Sequence, residues 1–328
     1  MRSVTARAYA RAGLLGNPSD IYGGRVLAFT FRNFSARVVV ERAERVELGS
    51  GVSADTLGDA VAAGVAGRHG GGALLAVALK KLTDHSPRLL ELPATDPRLG
   101  CRVTVTTDIP REVGLAGSSA IVVAALRALA RWFGVEVDAA TVAELALLAE
   151  RDVLGITAGP MDRVVQAHEG LLYIDCRRPR SARSCLSLDA ELLPPLFVAW
   201  DVALGAPSGT LHDPVRARWE HGDAAVRAAI EELATLADQG LEALRARDIP
   251  GLQRLVDRNF DVRASIWNVT ARDHELVAVG RRRGAAVKFC GSGGSVLGVM
   301  RDDAEYPALE TAYRDAGCSI LRPEVAVG

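Results

Sequence analysis

The clearest chemistry in this sequence lies in one run, Thr107-Asp108-Ile109-Pro110-Arg111-Glu112-Val113-Gly114-Leu115-Ala116-Gly117-Ser118-Ser119. Its end, Gly114 to Ser119, is a Gly-rich turn that leaves a strand and opens a helix. Such a turn gathers backbone N–H groups without intrahelical partners at the positive end of a helix dipole, which makes it a site for an anion. It is not a Walker A loop, because no Gly-Lys-Ser/Thr is present, and it lacks the GxGxxG of a dinucleotide fold. A tight turn with an ordinary serine N-cap accounts for the same residues. A second Gly-rich strand-turn follows around Lys288 to Met300.

Strands and helices must hold these loops. The chain opens as strand, Gly-rich turn, strand: Val4 to Leu15, then Gly16 to Gly24, then Arg25 to Phe31 and Ser35 to Arg42, where apolar and polar side chains alternate. Leu57 to Leu82 reads as helical with a break near Gly70 to Gly72, and Arg102 to Thr107 as a strand rich in β-branched residues. The helix from about Ala120 to Phe133 is apolar almost all round, as a buried helix is, and Gly134 stops it. A helix from Ala139 to Asp152 has Asp138 as its N-cap. After a loop from Gly155 to Pro160 come a helix from Met161 to Gly170 and a strand from Leu171 to Cys176. Arg177 to Ser187, basic and Ser-rich, reads as a linker. A strand from Leu196 to Leu204, helices from Pro214 to Arg247 and Leu252 to Trp267, and the last strand-turn would form a second α+β unit.

In order along the chain, three segments resemble the motifs of the GHMP kinase superfamily. Arg11-Ala12-Gly13-Leu14-Leu15-Gly16 with Asn17-Pro18-Ser19-Asp20 is similar to the first, Gly114 to Ala120 to the second, and Lys288-Phe289-Cys290-Gly291-Ser292-Gly293-Gly294-Ser295-Val296 to the third. Ala116 stands where small Gly or Ser residues are usual. The resemblance implies a two-domain α/β (α+β) fold, with a βαβ-type nucleotide-binding domain over residues 1–185 and a ferredoxin-like α+β domain over residues 186–328. It implies ATP bound by Gly114, Leu115, Ala116, Gly117, Ser118, Ser119, Ala120, Gly291, Ser292 and Gly293, and Mg2+ held by Ser119 and Glu150, a hydroxyl and a carboxylate of the kind a hard cation takes.

Ala158-Gly159-Pro160-Met161-Asp162-Arg163 resembles the family's Gly-x-x-Asp segment, which makes Asp162 the candidate base. An acid in the first turn of a helix is also favoured by the dipole alone. Arg11 matches the arginine that faces the γ-phosphate, where it would offset developing negative charge. Further stretches resemble the glucuronokinases within this superfamily, among them Asp162-Arg163-Val164-Val165-Gln166, Val215-Arg216-Ala217-Arg218-Trp219 and Asn259-Phe260-Asp261-Val262-Arg263. The implied reaction is transfer from ATP to the anomeric hydroxyl of a sugar acid. Asn17, Ser19, Asp20 and Tyr22 would contact the sugar, and Arg216, Arg218 or Arg263 its carboxylate, a group that arginine recognises bidentately. A kinase of another sugar or small alcohol, or a sugar-binding regulator without catalysis, has the same fold.

Composition narrows the alternatives. The 328 residues, 49% hydrophobic and 24% charged, can fill two domains. With 39 basic against 40 acidic side chains, there is no positive excess for a polynucleotide. The longest apolar runs, Ala73 to Leu79 and Ala120 to Leu126, are too short to cross a bilayer. The five scattered cysteines form no CxxC pair, and the six histidines no ligand-like cluster, so a reducing compartment and no protein-built transition-metal site are expected. Arg2, Arg7 and Arg11 faintly imitate a transit peptide, but no apolar stretch of that kind follows. A cytoplasmic monomer or homodimer, with ATP and a sugar acid as its partners, is the expectation.

Overall fold

A computed structural model describes residues 3–49, 51–66, 71–93, 95–155, 157–177, 184–201, 203 and 209–326. In chain order its elements are β1 (Ser3–Leu15), β2 (Arg25–Arg42), β3 (Val46–Leu48), β4 (Val52–Ala54), α1 (Leu57–Ala66), α2 (Gly71–His85) and β5 (Cys101–Thr107). There follow α3 (Gly117–Phe133), α4 (Ala139–Leu148), α5 (Met161–His168), β6 (Leu171–Asp175), β7 (Ser184–Leu188) and β8 (Leu196–Trp200). The chain continues through α6 (Gly209–Glu220), α7 (Ala224–Ala246), α8 (Ile249–Ile266), α9 (Ala271–Arg281), β9 (Ala286–Phe289), β10 (Ser295–Val299), α10 (Tyr306–Asp315) and β11 (Ser319–Leu321).

Packing divides the chain into two compact units. One gathers Met1–Ala10, Phe34–Ile109 and Gly117–His168; the other gathers Arg11–Asn33, Pro110–Ala116 and Glu169–Gly328. This grouping does not follow a single cut after residue 185, because β1 and β2 each contribute to both units.

In the first unit, the end of β2 (Ala36 to Arg42) pairs antiparallel with β5, β5 pairs parallel with β3, and β3 pairs antiparallel with β4. Joining parallel strands requires a long crossover, and α1 and α2 supply it. α3 packs against α2, α4 and α5. Its buried side chains, from Ala120 and Val122 to Trp132 and Phe133, lie all round the helix, as the uninterrupted apolar sequence predicts.

In the second unit, the start of β2 (Arg25 to Phe29) pairs with β6, and β6 with β7. A separate four-stranded antiparallel sheet has the order β11-β8-β10-β9. Counted from β8 this is 4-1-3-2, the order of a ferredoxin-like sheet, which fits the expected second domain. Phe197, Phe260, Leu276, Val287, Phe289, Val296 and Tyr313 fill its core with helical partners.

Several expected boundaries differ. The strands expected at 25–31 and 35–42 are one strand, β2. The end of the expected linker, Ser184 to Ser187, belongs to β7, paired with β6; residues 178–183 lie outside the described residues, as does Leu204 at the end of the expected strand. The helix expected at 214–247 is two, α6 and α7, separated at Gly222, whose φ of 82° a helix does not take. Asp138 caps α4 by accepting from Thr141 N at 2.7 Å, but α4 ends at Leu148 and a π-helical turn covers Ala149–Val153. None of the described helices is long and apolar enough to cross a membrane.

Candidate active site

The chemistry-bearing residues of the first unit lie at the ends of α3, α4 and α5. Ser119 is buried in the first turn of α3. Glu150, 2% exposed, sits in the π-helical turn after α4. A π-turn rotates the following side chains out of α-helical register, and such turns concentrate at functional sites. One Glu150 carboxylate oxygen, Oε2, is paired with the guanidinium of Arg163, and the other, Oε1, is buried without a hydrogen-bond partner among the described residues. Arg163 also donates to Gly159 O at 2.9 Å, and its Nη1 lies 3.6 Å from Asp162 Oδ2. One buried arginine thus joins Glu150 to the start of α5, where Asp162 stands in the first turn. Sequence reasoning quoted Arg163 without assigning it a role; its only signal was adjacency to Asp162.

The second unit holds the first and third motifs. Arg11, 4% exposed, donates from Nη1 to Gly114 O at 2.5 Å and to Cys290 O at 3.5 Å. Gly114 has φ 74°, and a Cβ placed on it would stand 2.7 Å from Gly293 O and 3.0 Å from Ser292 N. Glycine alone permits both that backbone and that approach. Ala116, two residues on, also has positive φ, 60°, a left-handed conformation that costs an L-residue about 1–2 kcal/mol.

The turn after Gly16 is fixed by a buried polar network. Asn17 Oδ1 accepts from Lys288 Nζ at 2.7 Å, and the ammonium also donates to Gly13 O (2.7 Å) and Phe289 O (2.8 Å). Asn259 accepts from Gly16 N at 2.7 Å and donates to Asn17 O at 3.3 Å. Lys288 is 1% exposed, and its burial pushes its pKa well down. Neither Lys288 nor Asn259 was assigned a role from sequence, because their partners lie hundreds of residues away. Ser19 is buried and its hydroxyl donates to Arg25 O at 3.0 Å. Asp20 is buried in the same short 3-10 turn. The Tyr22 ring tilts against Trp219 at 4.9 Å between centroids. Its hydroxyl is buried without a hydrogen-bond partner, and burial first, with Asp20 and Glu220 adding against Arg216, pushes its pKa up to about 12.

The three candidate arginines have different surroundings. Arg263 is 3% exposed; its Nη1 donates to Gly291 O at 2.5 Å and its Nη2 to Ser292 O at 2.9 Å. Arg218 pairs with Asp223 at 2.8 Å and donates to Ile266 O at 3.4 Å. Arg216, on the exposed side of α6, pairs with Glu220 one turn on at 2.8 Å and is near enough to Tyr22 to act on its ionisation.

Residues 73–170 match the family GHMP kinases N terminal domain. The chain is 33% identical over 342 residues to Glucuronokinase 1 of Arabidopsis thaliana, covering 99% of this chain and 92% of that protein. It is 35% identical over 306 residues to Probable glucuronokinase 2 of the same plant, covering 89% and 82%. The chain therefore belongs to the GHMP kinases, a family of phosphotransferases. Its fold is that of the solved mevalonate kinase of Methanococcus jannaschii, with a TM-score of 0.77 over 98% of both chains at 16% identity.

Proposed function

We propose that the chain transfers the γ-phosphoryl group of ATP to the anomeric hydroxyl of D-glucuronate, giving glucuronate 1-phosphate and ADP. The observation that carries this reading is the identity of about one third to two glucuronokinases over nearly the whole chain. Residues 1–185 take the nucleotide-binding role and residues 186–328 complete the kinase, working in the cytoplasm as a monomer or homodimer.

Gly114 to Ala120 and Gly291 to Gly293 bind the phosphates. Asp162 accepts the proton of the anomeric hydroxyl as its oxygen forms a bond to the γ-phosphorus. The bond from that phosphorus to the β,γ-bridging oxygen breaks in line, and ADP leaves without a phosphoenzyme. Because an anomeric hydroxyl is more acidic than an ordinary alcohol, the base need not be strong. Arg11 offsets charge on the transferred group.

The donor set fits magnesium. Glu150 Oε1 is a buried carboxylate oxygen with no hydrogen-bond partner among the described residues, and a hydroxyl and a carboxylate are oxygen ligands of the kind this ion takes. Ser119 and Glu150 would hold the ion, which when bound neutralises phosphate charge. Asn17 and Asp20 contact sugar hydroxyls, and Ser19 keeps their turn in shape through Arg25 O. Of the three arginines, Arg216 is the ligand for the uronate carboxylate, since it stands near Tyr22, a residue of the proposed sugar-contacting turn.

The test is ADP release over glucuronate, galacturonate, glucose, galactose and mevalonate, with phosphorus and proton NMR of the product. Glucuronate should exceed glucose by about 10-fold or more in kcat/KM, since a hydrogen bond to a charged group contributes about 1.5–3 kcal/mol. EDTA should abolish turnover, and Arg216→Ala should lower glucuronate turnover far more than glucose turnover. Phosphate on a non-anomeric oxygen, or better turnover of a neutral sugar, refutes the assignment.

A further inference from the structure

A planar trans peptide points its C=O and the following N–H in opposite directions. Arg263 draws two consecutive carbonyls, those of Gly291 and Ser292, onto one guanidinium fork. The N–H groups of the next residues, Ser292 and Gly293, consequently face away from Arg263. Neither donates to any acceptor among the described residues. At the following position the pattern stops, because Gly294 N donates to Asp273 Oδ1 at 3.2 Å. The result is a pair of adjacent backbone donors turned away from Arg263, with Gly114 close to both nitrogens, fenced at one end by an aspartate and backed by an arginine. Successive N–H groups aimed together form a nest for an anion.

Cationic surroundings reinforce it. Arg263 forms no ion pair among the described residues; its recorded partners are two carbonyl oxygens and the faces of Phe289 (5.0 Å) and Trp267 (5.7 Å). Asp273, Arg11 and Asp20 all lie near enough to act on its ionisation, the two aspartates favouring and Arg11 opposing its charge. A Cβ on Gly291 would stand 2.7 Å from both terminal nitrogens of Arg11 and 2.2 Å from Gly114 O, so the loop lies directly against a second guanidinium. Carbonyl dipoles satisfy the hydrogen bonds of Arg263 without cancelling its charge.

We propose that Arg263 is a positioning residue that aims the N–H groups of Ser292 and Gly293 at a phosphate of the bound nucleotide, and does not bind the acceptor's carboxylate. The proposal rests on the kinase reading but not on the identity of the sugar. Arg263→Lys keeps a charge and loses the planar fork that holds two carbonyls at once; Arg263→Met loses both.

Calorimetric titration of wild type and both variants with MgATP, MgADP and adenosine reads the effect without any acceptor. Arg263→Lys should weaken ATP and ADP by about 10-fold or more, the scale of losing hydrogen bonds of charged character, and leave adenosine unchanged. In turnover assays the KM for ATP should rise and that for the acceptor should stay close to wild type. Unchanged nucleotide affinity with a raised acceptor KM would return Arg263 to the carboxylate; equal weakening of ATP and adenosine would make it a general scaffold; either overturns the proposal. Should Arg263→Met fail to fold, the lysine variant alone decides. A wild-type protein that binds adenosine but no ATP would refute the phosphate site, and one that binds neither would refute the kinase reading with it.

Discussion

Arg163 of the first unit and Arg263 and Lys288 of the second are buried cations held in opposite ways, although Arg25, also buried in the second unit, pairs with Asp238 and Glu231 as Arg163 does with Glu150. In the first, Arg163 is matched by carboxylates, with Glu150 paired and Asp162 Oδ2 at 3.6 Å. In the second, the hydrogen-bond partners of Arg263 and Lys288 among the described residues are carbonyl and amide oxygens. An ion pair cancels charge and orients acids. A guanidinium held by neutral dipoles has no charged partner to cancel it. On the proposed function, one buried arginine serves the residues that would hold the metal and the base, and the other a loop that would meet phosphate.

The largest expected effect comes from removing the reacting groups that each arrangement serves. Asp162→Asn and Arg11→Met should each lower turnover by at least ~100-fold, the scale of losing a positioned base or charge stabiliser, with nucleotide affinity near wild type. Near-normal turnover of a folded Asp162→Asn protein would leave that residue as a dipole-favoured acid of α5.

Next in size is Arg163→Met. It strands the buried Glu150 carboxylate, and breaking a buried pair from one side costs about 3–5 kcal/mol. Chemical denaturation should show that loss, and Glu150→Gln in the same chain should restore part of it. Equal stability of the Arg163→Met protein and wild type would remove the contrast between the units.

Lys288→Met should cost less, about 1–3 kcal/mol, because it leaves only neutral acceptors without a donor. It also carries a pH signature. Burial lowers the pKa of Lys288 in the fold, so between that lowered value and about 10.4 the unfolded chain binds more protons. Its contribution to stability accordingly rises with pH through that window and falls as pH drops. The stability of wild type relative to Lys288→Met should climb with pH, by at most about 1.4 kcal/mol per unit. A difference that is flat from pH 6 to 10 would mean the ammonium stays charged throughout.

The smallest effect is at Ala116. Glycine there relieves about 1–2 kcal/mol of left-handed strain and adds about 0.4–1 kcal/mol of unfolded-state entropy, a net gain of under about 1 kcal/mol, visible as a slightly higher Tm. A lower Tm for Ala116→Gly would show that the alanine methyl packs usefully.

Local rules read well where the cause is local. α3 could be read because a Gly-rich entry, an apolar circumference and Gly134 lie within one stretch, and Asp138 caps α4 through Thr141 as its position suggests. Long-range causes were illegible. Arg32 and Asn33 look like a strand break, yet Arg32 N bonds Glu324 O at 2.8 Å and Asn33 bonds Arg322 O and Glu324 N, so polar residues continue β2 by meeting a segment near the other end of the chain. Ser184 to Leu188 has linker composition but pairs with β6 as an edge, where polar outward side chains are normal. The arginines were hardest, since nothing in Asn259 to Arg263 announces that the fork will close on backbone carbonyls of Gly291 and Ser292.

The hydrogen bond from Arg11 to Cys290 O spans 279 residues of sequence, and that from Lys288 to Gly13 O spans 275. During synthesis, therefore, the turn after Gly16 leaves the ribosome long before the strand that will anchor it. Contacts of such separation carry a large loop-closure cost and form late, so the N-terminal motif must wait, incompletely ordered, for β9 to arrive. Chains cut short before residue 286 would keep every residue of the first two motifs and lack Lys288 and Cys290, the partners that fix Gly13, Asn17 and Arg11.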